Sequence, residues 1–378
     1  MKKKILLMGR SGCGKTSMRA LVFSSALYSN PASTQRLGPT TGMELSTFRF
    51  LKNLLINLFD CGGQQTYMDS YVEDKREQVF KDVGAFVYVF DMGSANNEEG
   101  EDGWQGDLRY WRDCLKILRQ LSPNAHVVCL LHKMDLLNSA RRQDIYTDRV
   151  KDLRGKAKEL GATELSCYGT SIWDETLYRA WSRIIHELIP NIATLESNLT
   201  EFTKITAATE AVIFEKTTFL VIARSGGDTV AKSVGGAADK AKASTGAGSS
   251  PSSKRAATTN RLSTVSSHGT LADDKERDSL LEGYPPTEAE RKALLARGEM
   301  HPERFEKISE LVKNLRGSCN KLQASFESFE VRGATFSAYL DVFTENTYIM
   351  VIVADPRVEL SAIKLNVQLG RERFEKLG

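Results

Sequence analysis

Gly9-Arg10-Ser11-Gly12-Cys13-Gly14-Lys15-Thr16, near the start of the chain, fits the phosphate-binding pattern G-x-x-x-x-G-K-[ST]. It follows a short apolar run, Ile5-Leu6-Leu7-Met8, and precedes a segment, Met18 to Tyr28, that reads as a helix. That order constrains the fold strongly. Glycines let successive backbone N–H groups curl around phosphate oxygens, and the N-terminus of the following helix adds its positive dipole end. Lys15 can reach the β- and γ-phosphates and the Thr16 hydroxyl can ligate Mg²⁺, with Gly9 through Ser17 forming the cradle. A strand–loop–helix of this kind belongs to an α/β sheet.

The rest of the first half supplies that sheet. Strands are predicted at Lys4–Met8, Ser46–Phe50, Leu54–Phe59, Ala85–Phe90 and His126–Leu131, with a short one near Glu164–Tyr168. Leu108, Trp111, Leu115 and Leu118 mark a helix over Asp107–Leu121 closed by Pro123, and Trp173–Leu188 reads as another, ended by Pro190. Residues 1–190 thus read as a mostly parallel sheet with helices on both faces. From Asn191 the pattern changes to α+β. A helix over Ile192–Ala208 and strands at Ala211–Glu215 and Thr217–Ala223 come first. A capping box at Thr287 and Glu290, a helix over His301–Leu322, a meander of strands (Phe326–Val331, Thr335–Phe343, Thr347–Ala354) and a helix over Leu360–Phe374 follow. Between them, 225–283 contains no Phe, Tyr, Trp, Ile or Met and reads as a disordered insertion.

At 378 residues the chain is long enough for two domains, each with a core. A net charge of +3 gives no reason to expect nucleic acid or an anionic membrane as partner. The six cysteines are scattered without a C-x-x-C pair, which favours reduced thiols in the cytoplasm over disulfides or zinc. No apolar run approaches the ~20 residues of a membrane span. Neither a signal peptide nor a lipidation motif is expected at the termini, and no direct membrane insertion is expected either.

Three further motifs carry chemistry. Asp60-Cys61-Gly62-Gly63-Gln64 ends a predicted strand: Asp60 can hold Mg²⁺ through water, the Gly63 N–H can meet the γ-phosphate, and Gln64 can orient an attacking water. In Gly38-Pro39-Thr40-Thr41-Gly42 a threonine can close over the metal only when a γ-phosphate is present. Local pattern leaves Thr40 and Thr41 interchangeable for that role. His132-Lys133-Met134-Asp135 ends the fifth strand, where nucleotide sites form in such sheets. Asp135 can accept the two N–H donors of guanine while the Lys133 stem lies along the base. Thr170-Ser171-Ile172 could donate a backbone N–H to the guanine carbonyl. A kinase or ATPase reading would instead place magnesium on Asp91, which brings no companion motif. No arginine is identifiable as a finger supplied in cis, so GTP hydrolysis is expected to be slow without an activating protein.

Taken together, these residues resemble a Rag GTPase of the A/B branch. The resemblance rests on Gly9–Thr16, Arg36-Leu37-Gly38, Asp60–Gln64, His132–Asp135 and Thr170–Tyr178. In the second half it rests on Arg304–Ile308, Leu322–Phe326 and Phe343–Tyr348. His132, where most small GTPases carry Asn, fits this branch. The resemblance implies an α/β P-loop GTPase domain of Ras-like fold over 1–190 and an α+β roadblock-like dimerisation domain over 191–378. It implies GTP/GDP and Mg²⁺ as ligands, with Lys15 and Gln64 catalytic. Thr16, Thr40 and Asp60 would stand at the metal, and alignment from Arg36-Leu37-Gly38 favours Thr40. Gly9 to Ser17, Gly63, His132, Lys133, Asp135, Ser171 and Ile172 would stand around the nucleotide. It further implies a heterodimer with a C/D-branch Rag protein, activating and exchange factors, and a roadblock-rich scaffold at the lysosomal or vacuolar membrane. The output would be recruitment of the target-of-rapamycin kinase complex in response to amino acids. A chain that is chiefly a dimerising scaffold, with nucleotide as a structural cofactor, is the other reading the motifs permit.

Overall fold

The apolar run Ile5–Met8 is fully buried on both sides, which places β1 (Lys2–Met8) at the centre of a sheet. The computed structural model describes residues 2–23, 31–51, 54–93, 100–162, 164–225, 283–296, 304–333, 336–355 and 357–375. All of these belong to one compact unit. The expected insertion over 225–283 lies, apart from its two end residues, outside the described residues.

In chain order, β1 is followed by α1 (Lys15–Phe23), β2 (Met43–Leu51), β3 (Leu54–Cys61), α2 (Gln65–Val72), α3 (Arg76–Phe80), β4 (Val83–Asp91) and α4 (Gly100–Leu121). Next come β5 (His126–His132), α5 (Arg142–Glu159), β6 (Leu165–Thr170) and α6 (Thr176–Leu188). The six strands form one sheet in the order β2-β3-β1-β4-β5-β6. All neighbours run parallel except β2, which pairs antiparallel with β3. Sequence reading places these strands to within a few residues. It overextends α6, which begins at Thr176, where the Asp174 carboxylate accepts from the Thr176 N–H at 3.0 Å in a turn before the helix.

The second half adds α7 (Ile192–Thr206), β7 (Glu210–Glu215), β8 (Val221–Arg224), α8 (Glu288–Ala296), α9 (Arg304–Lys321), β9 (Ser328–Arg332), β10 (Ser337–Thr344), β11 (Thr347–Val353) and α10 (Leu360–Glu375). These strands form an antiparallel sheet in the order β8-β7-β11-β10-β9. The strand expected from Thr217 starts only at Val221. The Glu215 carboxylate takes the N–H groups of Thr217 and Thr218, and Phe219 turns at φ +56°, so the chain reverses there. The capping box opening α8 forms as expected: Glu290 accepts from the Thr287 N–H at 2.7 Å, and Thr287 Oγ1 accepts from the Glu290 N–H at 3.3 Å.

One hydrophobic cluster joins the two sheets. It runs from Ile5, Val87 and Leu130 through Phe23 and Trp181 to Leu199, Phe202, Ile213 and Phe343. Phe23 meets Trp181 edge-on at 4.8 Å between ring centroids. The opposite face of the second sheet has its own cluster, which includes Phe214, Phe219, Phe305 and Tyr348.

Candidate functional site

The parallel strands β1, β3, β4, β5 and β6 end at one edge of the first sheet, and all the motifs gather there. The chain turns from β1 into α1 through a loop that only glycine can build at two points. Gly9 has φ +143°, and a Cβ on it would lie 2.4 Å from the Val89 carbonyl oxygen. A Cβ on Gly14 (φ +99°) would strike the His132 ring at 2.8 Å. Lys15, only 5% exposed, folds back over this loop and donates to the carbonyls of Gly9 (2.7 Å) and Arg10 (2.9 Å) and to the Cys13 thiol (3.6 Å). These partners hold the ammonium group without neutralising it.

Beside the loop, three oxygens come together. The Thr16 and Thr40 hydroxyls are 2.6 Å apart, which brings in Thr40 and leaves Thr41 exposed. Asp60 is completely buried and adjoins Thr16; burial raises its pKa while Arg19, Lys15 and the Thr16 hydroxyl oppose the rise. Its Oδ2 accepts from Arg19 Nε at 3.0 Å, whereas Oδ1 is buried with no hydrogen-bond partner. Two hydroxyls and an unpartnered carboxylate oxygen are a hard donor set that fits Mg²⁺, which takes one or two protein oxygens and completes its shell with phosphate and water. Among the described residues no cluster of three or more His, Cys, Asp or Glu side chains could hold a metal unaided.

Gly63 rides directly on the phosphate loop. Its carbonyl accepts from the Ser11 N–H at 2.8 Å, and a Cβ on it would lie 2.4 Å from Gly9 O and Ser11 N. Gln64 then occupies the N-cap position of α2, half-buried, its side chain making no capping bond. The Gly62 N–H and the Tyr71 hydroxyl both donate to the Gly42 carbonyl, at 2.6 and 2.8 Å, so the segment after Thr40 is tied to the end of β3.

At the far end of the edge, His132 is buried beneath the loop, with Nδ1 3.0 Å from the Thr170 hydroxyl. Burial, reinforced by Lys133, pushes its pKa down to about 3, so the ring is neutral. Lys133, in the left-handed region at φ +63°, donates to Asp91 Oδ2 (2.6 Å) and to the Gly12 carbonyl (2.8 Å) and so straps β5 to the loop. Asp91 also accepts from the Gly93 N–H at 2.9 Å, so its carboxylate serves Lys133 and the turn after β4. Asp135 Oδ1 accepts from the Ser171 hydroxyl at 2.6 Å. The Ser171 N–H donates to Thr176 Oγ1, while Ile172 packs against the core. Sequence reading missed Arg19 as a member of this site, and it named Thr170 without its contact to His132. Arg19 stands three residues after Thr16, on the same face of α1, and that spacing was the available signal.

Comparison with known proteins places the whole chain. Residues 4–240 match the family described as the Gtr1/RagA G protein conserved region. The chain is 37% identical to Ras-related GTP-binding protein A of Dictyostelium discoideum, across 100% of this chain and 98% of that one. It is 40% identical to GTP-binding protein gtr1 of Schizosaccharomyces pombe, across 99% and 96%. A more distant relative is GTP-binding protein GTR2 of Saccharomyces cerevisiae, 29% identical across 57% of this chain and 59% of that protein. A phosphate loop with its lysine and threonine, a buried Asp60 followed by Gly63 and Gln64, and full-length similarity to the A/B and Gtr1 proteins have one reading: the chain belongs to the Gtr1/RagA family of small G proteins and is a GTPase.

Proposed function

We propose that this GTPase is a magnesium-dependent switch whose working form is a heterodimer with a C/D-branch Rag protein. The observation that carries the switch is the convergence of Thr16, Thr40 and the unpartnered Asp60 oxygen. Thr40 lies on the segment bound through Gly42 to Gly62 and Tyr71, so a change at the metal position is felt at β2 and α2. Mg²⁺, when bound, supplies charge neutralisation for the β- and γ-phosphate oxygens. The chain's own residues do the rest. Lys15 brings a cation to the phosphates, the Gly63 backbone fixes the approach of the loop, and Gln64 orients the attacking water. Asp135, held by Ser171, reads the guanine edge, and His132, Ser171 and Ile172 shape the base side.

The partner assignment is supported by the likeness to GTR2 and by the second sheet, whose strand β9 lies at an edge, with no further strand paired to its outer side among the described residues. Among the described residues no helix is long and apolar enough to cross a membrane. Peripheral attachment to the lysosome or vacuole would then pass through a roadblock-rich scaffold. On this reading the loaded dimer recruits the target-of-rapamycin kinase complex when amino acids are present, and activating and exchange factors set its state.

The test is displacement of a fluorescent GTP analogue by GTP and by ATP, with Mg²⁺, from the wild type and from Asp135→Asn. A strong preference for GTP that Asp135→Asn weakens by roughly 10- to 100-fold is expected, from the loss of a charged hydrogen-bond acceptor. Equal displacement by ATP in the wild type would refute the base-reading role.

A further inference from the structure

Arg19 has no part in the mechanism above, yet its guanidinium makes three contacts on two other elements of the site. From α1 it donates through Nε to Asp60 Oδ2 on β3 at 3.0 Å. Through Nη1 it reaches Ser46 Oγ at 3.2 Å, and through Nη2 Glu44 Oε2 at 2.6 Å, both on β2. The two acidic partners differ: Asp60 is fully buried, whereas the Glu44 side chain is 45% exposed. With Oδ2 engaged by Arg19, the carboxylate cannot swing freely, and its other oxygen stays buried without a partner in the residue that adjoins Thr16.

We propose that Arg19 is a positioning residue that pins one oxygen of Asp60, reserves the other for the magnesium position, and links that position to β2 through Ser46 and Glu44. The inference rests on the metal reading of Thr16, Thr40 and Asp60. A planar fork suits the task because it can serve two directions from one rigid group. Lysine at the same place is a point charge on a flexible stem and cannot hold Asp60, Ser46 and Glu44 together. The linkage also gives β2 a reason to respond to the metal. Any pull on Asp60 is met by the same guanidinium that holds the β2 side chains.

The experiment measures release of a fluorescent GDP analogue from the full-length protein as a function of free Mg²⁺. It compares the wild type with Arg19→Met, Arg19→Lys and Glu44→Gln. The expected result is an Mg²⁺ midpoint for slow release raised about tenfold in Arg19→Met and less in Arg19→Lys, with release in EDTA changed little. A purely structural role would instead speed release in EDTA and leave the midpoint alone. Glu44→Gln should keep the wild-type midpoint. It should also reduce the Mg²⁺-dependent difference in amide hydrogen exchange across Met43–Leu51. Should Arg19→Met fail to fold, Arg19→Lys retains the charge and still reports the midpoint. An unchanged or lowered midpoint in the arginine variants, with a normal Mg²⁺ response in the wild type, overturns the role of Arg19 alone. A wild type indifferent to Mg²⁺ overturns the metal reading and this inference with it.

Discussion

The two sheets bury polar groups to similar depth and treat them differently. In the second sheet Glu215, 2% exposed, accepts from the Thr217 and Thr218 N–H groups and from the Thr218 hydroxyl, at 2.9, 2.6 and 2.7 Å. Glu210 is gripped by Arg304 at 2.7 Å, and Asp341 accepts from the Tyr339 hydroxyl and from Arg371, both at 2.8 Å. These carboxylates are closed out by their own neighbours, although Arg371 Nε itself stays buried without a partner. At the edge of the first sheet the account stays open. Among the described residues, Asp60 Oδ1 is the one buried side-chain oxygen without a partner, and Lys15 rests on the carbonyls of its own loop. A buried polar group left unsatisfied costs a fold roughly 1–3 kcal/mol. Where that cost persists, a ligand is the natural completion. The difference teaches that burial alone does not mark a chemical site; an unsatisfied carboxylate oxygen beside the phosphate loop does.

Lys15→Met gives the comparison its hardest test. Affinity for GTP should fall by roughly 100-fold or more, the scale of a lost charge-assisted hydrogen bond, as read by titration calorimetry. The thermal midpoint of the nucleotide-free protein should hold or rise, since the variant no longer buries an ammonium group on neutral partners. Unaltered affinity would mean that the open account at the first sheet has no ligand behind it.

Lys313 sharpens the comparison from the other side. It projects from α9 of the second half, 5% exposed, and donates to the carbonyls of Leu21 and Val22 at the last turn of α1, the helix whose first residue is Lys15. Burial pulls its pKa down to about 7, Glu215 opposing the fall and Arg316 adding to it. The sign follows from linkage. The folded pKa lies below the ordinary lysine value of 10.5, so between about 7 and 10.5 the unfolded chain binds more protons than the folded one. Stability is therefore fully present above that window and is lost as pH falls through about 7. In urea denaturation the wild type should gain up to about 1.4 kcal/mol per pH unit across the window relative to Lys313→Met, in which this slope is absent. Parallel pH profiles for the two proteins would show that this lysine is not held in the way described.

What the sequence made legible, and what it hid, follows from how local each feature is. The phosphate loop, Asp60–Gln64 and His132–Asp135 are short strings whose backbone demands are written in adjacent glycines and charges. Most strands of both sheets were visible because their apolar runs are buried, although β2 and β9 are largely exposed. The closures around the site were hidden because they bridge distant segments: Lys133 meets the Gly12 carbonyl across 121 positions, and Arg19 meets Asp60 across 41. Helix α5 escaped notice for a different reason. Its buried residues, Tyr146, Val150, Leu153 and Ala157, form a stripe one side chain wide on an otherwise charged segment, too narrow to stand out as a period. Likewise, nothing local announces that Phe23 and Trp181 join the two sheets in one cluster.

The smallest expected effect is the most discriminating for the second sheet. Glu215→Gln preserves shape but turns one acceptor oxygen into a donor. The turn uses both oxygens, Oε1 for Thr217 and Oε2 for Thr218, so at least one of those donors must lose its partner. Against that loss stands relief from burying a charge, since burial already raises the Glu215 pKa against its hydrogen bonds. The net cost should be about 1 kcal/mol in urea denaturation, with GTP affinity unchanged. A second consequence follows from electrostatics. Glu215 is the group that holds the Lys313 pKa up, so its neutralisation should move the Lys313 window to lower pH. Glu215→Gln and Lys313→Met should then be non-additive when combined, and the coupling should be read in stability rather than in nucleotide binding. A fall in GTP affinity with Glu215→Gln would break the comparison, because a self-satisfied charge in the second sheet would then be part of the chemistry of the first.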